Sequence, residues 1–195
     1  MSKRITIVGL QGSGKTQLAK KMIRDKVRKN KKVLVFDILG EYVKDKSLGN
    51  IDVFIPQDRI EPLLEIDTVL KNYVVEPYIY DKKKNYSLIV FDEASRYFNN
   101  KLKLPSNMGF INDMARHIEL DIICIARRFT QLNTDIVELS HYLYIFNQAG
   151  INDIKRLNEL SIGLGDTVLT LNKYHYIEVN QFRQYSIKKP IKIMD

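Results

Sequence analysis

The chain has 195 residues, and 31 Lys and Arg against 23 Asp and Glu give a net charge of 31 − 23 = +8. Its length suits one domain with a full core, and 45% hydrophobic with 28% charged residues excludes the disordered, collagenous and disulfide-scaffold classes. No run approaches the roughly 18 apolar residues of a membrane span, the N-terminus lacks the apolar core of a signal peptide, and a lone Cys124 with three His leaves no zinc-type spacing, so an intracellular protein without a structural metal or integral membrane segment is expected.

Ile5, Thr6, Ile7 and Val8 form a β-rich run ending at Gly9, and Leu18, Ala19, Met22, Ile23 and Val27 follow at helical spacing, which predicts strand, tight loop, helix. The charge concentrates here: residues 1–32 hold eleven Lys/Arg and one acid, 11 − 1 = +10, leaving 20 − 22 = −2 for the rest. Lys26, Arg28, Lys29, Lys31 and Lys32 fall at the far end of that helix, where cations suit the helix dipole. Most of the net charge is therefore expected on a solvated helix end or an outer contact surface. Val33 to Asp37 is a second buried strand, and Ile51, Val53 and Ile55 alternate as a third before Pro56. Leu63 to Tyr80 is predicted helical at its start. Leu88 to Phe91 is the clearest buried strand, closed by Asp92 and Glu93. A helix over 106–118, strands over Ile122–Ala126 and Tyr142–Phe146, and a helix near 151–160 follow. Thr167–Leu171 and Tyr174–Val179 flank an Asn172-Lys173 turn and are predicted to form a hairpin.

Gly9-Leu10-Gln11-Gly12-Ser13-Gly14-Lys15-Thr16 matches G-x-x-x-x-G-K-[ST] between a predicted strand and helix, the context in which the pattern is a phosphate-binding loop. Small residues let successive N–H groups curl inward around phosphate oxygens, and the helix N-terminus adds partial positive charge. The nucleotide contacts expected are Gly9, Gln11, Gly12, Ser13, Gly14, Lys15, Thr16 and Gln17, with Lys15 on the β- and γ-phosphates and the Thr16 hydroxyl on Mg²⁺. A P-loop also needs an acid on a neighbouring strand. Asp92, at the C-terminal edge of the Leu88–Phe91 strand, is placed as the second Mg²⁺ ligand, and Glu93 as the base that polarises the attacking water. Continuous apolar strands alternating with helices give the fold class: α/β, a P-loop NTPase with a mostly parallel sheet, helices on both faces and a C-terminal β-hairpin. Residues 1–195 are read as one ATPase domain, with a core over 4–180 and a basic extended tail over 184–195 that pairs with a neighbouring subunit or drapes the surface.

These residues resemble the HerA/FtsK superfamily of P-loop ATPases, which pump or translocate DNA and include the packaging ATPases of many membrane-containing viruses. Besides the loop, the resemblance rests on Val33 to Tyr42, a strand ending in Asp37 followed by Gly40-Glu41-Tyr42, and on Asp92-Glu93-Ala94 followed by Ala115-Arg116-His117 and the strand 122–126. One position departs from the pattern: members of that family usually end the strand after the acidic pair in a γ-phosphate-sensing Gln, whereas this chain has Arg127-Arg128, with Gln131 farther on. Arg127 is the candidate sensor in its place. The resemblance implies a homo-oligomeric ring, hexamer or pentamer, in which an arginine of one subunit reaches its neighbour's site. Candidates are Arg116, Arg127 and Arg128, and a surface salt bridge explains Arg116 equally well.

The implied function is an ATPase using ATP and Mg²⁺ that translocates double-stranded DNA, of viral genome-packaging type because the chain is little more than the ATPase core. A capsid or portal partner and action in the host cytoplasm, or with the virion, follow from that. Tyr97 to Lys103 combines aromatics with two Lys at the catalytic edge, so Lys101 and Lys103 are the candidate DNA contacts. The alternatives are a zonula-occludens-toxin-like phage morphogenesis ATPase, a small-molecule or nucleotide kinase, and a non-hydrolysing nucleotide switch.

Overall fold

The computed structural model describes residues 2–192. Strand β1 (Arg4–Val8) leads through the Gly9–Gly14 loop into helix α1 (Lys15–Val27). Strands β2 (Val33–Phe36) and β3 (Asp52–Phe54) precede helices α2 (Leu63–Leu70) and α3 (Glu76–Asp81). Then come β4 (Leu88–Phe91), α4 (Ser106–Met114), β5 (Asp121–Ala126), α5 (Thr134–Glu138) and β6 (Tyr142–Ile145). Helices α6 (Ile151–Leu160) and α7 (Leu164–Leu169) and strands β7 (Tyr176–Val179) and β8 (Tyr185–Lys188) close the described chain.

One eight-stranded sheet has the order β3-β2-β4-β5-β1-β6-β7-β8; β3 through β6 run parallel and the last two pairings are antiparallel. Strands covered on both faces must be apolar at every position, and the core divides accordingly. Ile5, Ile7, Val33, Val35, Val90, Ile123 and Ile125 pack towards Leu18, Ala19 and Ile23 of α1. Alternate positions, including Phe36, Ile89, Phe91, Ile122 and Cys124, pack with α2, α4, α6 and α7.

The acidic strand β4 is not the neighbour of β1, as the sequence suggested: β5 lies between them. Because ladder positions Val8–Ala126 and Phe91–Cys124 are in register, the residues just past β5 emerge between the loop after β1 and the acids after β4. Long-range pairing of this kind leaves no trace in local periodicity.

Two elements differ from expectation. The segment from Leu63 is helical to Asp81, because a π turn at Lys71–Val75 absorbs the register change and puts Pro77 in the first turn of α3, where its missing N–H costs nothing. The expected strand Thr167–Leu171 is largely helix α7: Leu164, Val168 and Leu171 are buried at i, i+4, i+7 while Leu169 is 56% exposed, a 3.6-residue period hidden in a β-branched run. The hairpin is formed instead by β7 and β8 around Asn180–Gln184. The tail therefore pairs within its own chain over Tyr185–Lys188. Residues 193–195 of that tail, Ile193 included, lie outside the described segment.

Candidate active site

The loop after β1 is pinned from below. Gly9 N donates to Ala126 O (3.3 Å) and Leu10 N to Asn147 O (2.9 Å), tying it to the ends of β5 and β6. A Cβ at Gly9 would stand 2.5 Å from Phe146 Cβ and 2.8 Å from Ser13 Oγ, so no side chain fits there. Gly14, at φ 107°, turns the chain into α1 so that the helix N-terminus faces the loop. Lys15 Nζ donates to Gly9 O (2.7 Å) and Leu10 O (2.9 Å). Burial lowers its pKa, and the charges of Glu93 and Asp92 oppose that shift.

Gln11 through Gln17 line a cleft of about 600 Å³, a volume suited to a nucleotide. Gly9, expected among the nucleotide contacts, does not line it. The buried Ser13 hydroxyl has no hydrogen-bond partner and lines this cleft, leaving a donor free for an anionic ligand. The opposite wall is apolar, formed by Phe146, Tyr174, Pro190 and Ile191. The sequence offered no signal for that wall, since its residues come from the end of β6, the turn before β7 and the tail beyond β8.

A smaller hollow beside the loop gathers Lys15, Thr16, Glu41, Asp92, Glu93 and Arg127. Asp92 is 4% exposed. Burial, then the charges of Glu93, Glu41 and Asp37, push its carboxyl up to about 7. Asp37 is buried but fully engaged, accepting from the backbone N–H of Glu41 (3.0 Å), Tyr42 (2.8 Å) and Val43 (3.3 Å). It shapes the Gly40-Glu41-Tyr42 turn, which brings Glu41 into the hollow; the segment was legible, this placement was not. The resulting surplus of carboxylates around Thr16 and Asp92 fits a divalent cation, which would relieve the repulsion that raises Asp92.

Glu93 has φ 51°, a left-handed backbone uncommon for a residue with a side chain. Its Oε1 lies 2.8 Å from Arg127 Nε, and the Arg127 backbone carbonyl accepts from buried Gln148 (3.1 Å).

A family model described as the central domain of helicase HerA matches residues 1–163. The chain belongs to the HerA family. This HerA-family member is a P-loop ATPase, and it matches solved structures along almost its whole described length. It is similar to the genome packaging NTPase B204 from Sulfolobus turreted icosahedral virus 2 in complex with AMPPCP, at 21% identity and TM-score 0.77, covering 97% of this chain and 98% of that one. The same protein with ATP-gammaS gives 18% identity, TM-score 0.78 and 98% coverage of both chains. The N-terminal domain of zonular occludens toxin from Neisseria meningitidis gives 14% identity and TM-score 0.54, covering 98% and 96%. These likenesses concern the fold. No curated protein sequence matches the chain, and among the described residues no helix is long and apolar enough to cross a membrane.

Within this HerA-type site the three candidate arginines part company. Arg127 joins the hollow. Arg128 Nε lies 2.9 Å from Asp153, whose other oxygen accepts from Thr130 N (2.9 Å) and Oγ1 (2.7 Å). Arg128 thus holds α6 to the turn after β5. Arg116 is exposed in the turn between α4 and β5, at the sheet edge opposite the nucleotide cleft of its own chain. Tyr97 and Phe98, expected beside the lysines at a DNA surface, are instead buried against Phe91, with ring centroids at 6.4 and 5.0 Å. Phe98 and Tyr97 follow the short Ala94–Arg96 turn, which directs them back under the sheet. Lys101 and Lys103 are both exposed; Lys101 lines a cavity with Glu93 and Arg127, while Lys103 lies in another with Asp113, Asp135 and Glu138. At the far end of α1, Lys26 pairs with Asp121 at 2.7 Å.

Asp153 is buried, and burial raises its pKa, but the hydrogen bonds from Thr130 and Arg128 outweigh that and hold it below the usual value of 3.8. A depressed carboxylate contributes stability above the unfolded pKa and loses it as pH falls through the folded one. Because Arg128 is half exposed, the expected loss for Asp153→Ala is at the low end for a broken buried pair, about 3 kcal/mol at neutral pH, or roughly 6–12 °C in melting temperature. The gap between wild type and variant should close below about pH 3.8; a pH-independent gap in thermal melts would remove the ion pair as the cause.

Proposed function

We propose that the chain is a DNA-translocating ATPase of the genome-packaging type, assembled as a ring on double-stranded DNA. The observation that carries this is the meeting of the Lys15 loop, Asp92 and Glu93 at one sheet edge, in a chain of the HerA family. The likeness to a viral genome packaging NTPase across 98% of both chains supports the finer reading.

In this reading Lys15 and the loop N–H groups hold the β- and γ-phosphates, and the Ser13 hydroxyl adds a donor. Thr16 and Asp92 would hold Mg²⁺, which supplies charge neutralisation for the phosphates when bound. Glu93 takes a proton from water as the water oxygen bonds to the γ-phosphorus and the bond from phosphorus to the β–γ bridging oxygen breaks, leaving ADP and phosphate. The apolar wall of Phe146, Tyr174 and Ile191 receives the base. Lys101 and Lys103 meet DNA phosphates, and the partner capsid or portal, the ring number and the action in a host cell belong to the same proposal.

The test is phosphate release with and without double-stranded DNA, together with particle mass with and without nucleotide. Stimulation by DNA and a ring-sized particle are expected; turnover indifferent to DNA would exclude the motor. Of the two lysines, Lys101 should matter more, because the acids around Lys103 offset its charge. Lys101→Ala is expected to flatten the slope of log affinity against log salt by about one, and Lys103→Ala by less. Equal slopes for wild type and both variants, measured by DNA-binding anisotropy, would take this loop out of the interface.

A further inference from the structure

Beside the phosphate hollow lies a second, open cavity of about 490 Å³ on the same sheet edge. Two residues line both cavities, Glu93 and Arg127, and they are ion-paired at 2.8 Å. The pair is therefore the partition between them. The second cavity is rich in donors for an anion: Arg96 and Lys101 stand with Arg127 and Gln131 around it, all four exposed. Its framework is tied together by hydrogen bonds. Asn100 N donates to Gln131 O (3.1 Å), Lys101 N to Asn99 Oδ1 (2.9 Å), and an isolated bridge links Asn99 to Leu132. The Arg127 backbone is anchored through its carbonyl to Gln148. Its side chain remains 44% exposed, against 13% for Glu93. The guanidinium is thus the half of the partition that a ligand in the open cavity can reach, and the carboxylate the more buried half.

With Arg127 Nε donating to it at 2.8 Å, Glu93 Oε1 is occupied by the guanidinium and is not presented to a water. We propose that the second cavity is a subsite for a backbone phosphodiester of nucleic acid, bound by Arg96, Lys101 and Arg127, and that its occupancy draws Arg127 away from Glu93 and frees that carboxylate to accept the proton of the attacking water. A phosphodiester carries the single delocalised charge that a guanidinium binds in a fork, so it competes with Glu93 for Arg127 on equal terms. The ion pair then acts as a latch: hydrolysis is slow in the empty enzyme and accelerates when a strand lies across Arg96 and Arg127. This rests on the proposed role of Glu93 as base and on DNA as the partner.

Steady-state phosphate release by the full chain, with and without short duplex DNA, tests it. Arg127→Ala is expected to hydrolyse ATP about tenfold faster than wild type in the absence of DNA, the factor equivalent to about 1.4 kcal/mol, and to gain almost nothing on adding DNA. Arg127→Gln, which keeps most of the side chain's bulk, should behave alike and replaces the alanine variant if that one fails to fold. Arg96→Ala is expected to raise the DNA concentration for half-maximal stimulation about tenfold. Inorganic phosphate in place of DNA should not accelerate the wild type. Arg127 variants that are no faster without DNA, or that keep full stimulation, overturn the latch. An unchanged half-saturation for Arg96→Ala, or acceleration by inorganic phosphate alone, overturns the phosphodiester subsite. A wild type that DNA does not stimulate sinks the motor reading itself, and a Glu93→Gln variant that turns over within about tenfold of wild type sinks the base; both are distinct from failure of the latch in a stimulated, Glu93-dependent enzyme.

Discussion

Replacing Glu93 by Gln is expected to slow ATP hydrolysis by about 10³-fold, the mid-range contribution of a positioned general base, while nucleotide binding persists. The substitution keeps shape and replaces the carboxylate with a neutral amide whose oxygen accepts hydrogen bonds but takes no proton at neutral pH. It also removes the charge that holds Arg127 at 2.8 Å, yet neither group belongs to the loop that grips the phosphates. The two effects separate cleanly: single-turnover phosphate release reports the chemistry, and titration with a fluorescent ATP analogue reports binding. A variant that hydrolyses within about tenfold of wild type would remove Glu93 from the role of base, since a tenfold loss is only about 1.4 kcal/mol.

Lys15→Ala should act on the other side of that division. Lys15 Nζ sits within 2.9 Å of the Gly9 and Leu10 carbonyls, a cation poised over the cradle and ready to exchange those carbonyls for phosphate oxygens. Burial has already lowered its pKa, so part of its desolvation is accomplished in the folded chain. Losing one such donor to the developing phosphoryl charge costs about 10²–10³ in rate, and weaker binding adds to it, so kcat/KM is expected to fall by at least about 10³. Ligand-induced stabilisation gives an independent check. Wild type should melt higher with saturating ATP, whereas Lys15→Ala should show little or no rise. An ATP-dependent shift equal to that of wild type would mean that the loop is not the nucleotide site.

The P-loop motif and the acidic pair at a strand end were legible because each is encoded locally. A phosphate loop must lie between a strand and a helix, and the run Ile5–Val8 followed by the stripe Leu18, Ala19, Ile23 announces both. Leu88–Phe91 ends in Asp92-Glu93 for the same reason, since the end of a strand is where an open parallel sheet presents its ligands. Segment 167–171 misled because β-branched residues fit either period, and Gly163 before it and the apolar spacing of Leu164, Val168 and Leu171 were the better guide. Tyr97 and Phe98 were misplaced for a related reason: aromatics beside lysines look alike whether they face water or the core, and only packing against Phe91 distinguishes the two.

The net charge likewise looks different in three dimensions. Of the basic residues concentrated in the first 32, Lys15 serves the loop, Lys20 pairs with Asp45 at 2.9 Å, and Lys26 with Asp121 at 2.7 Å. Arg96 and Arg127, which line the open cavity beside Glu93, come from elsewhere in the chain.

By itself the sequence determined the α/β alternation, the phosphate loop and the acidic pair, because strand hydrophobicity, helix period and loop chemistry act over neighbouring residues. Only the tertiary structure decided that β5 separates β1 from β4, that Arg127 therefore meets Glu93 while Arg128 turns away to Asp153, and that the tail lends Pro190 and Ile191 to the nucleotide cleft. Those facts depend on which strands pair and in what register, a balance of burial summed over the whole sheet that no local window contains.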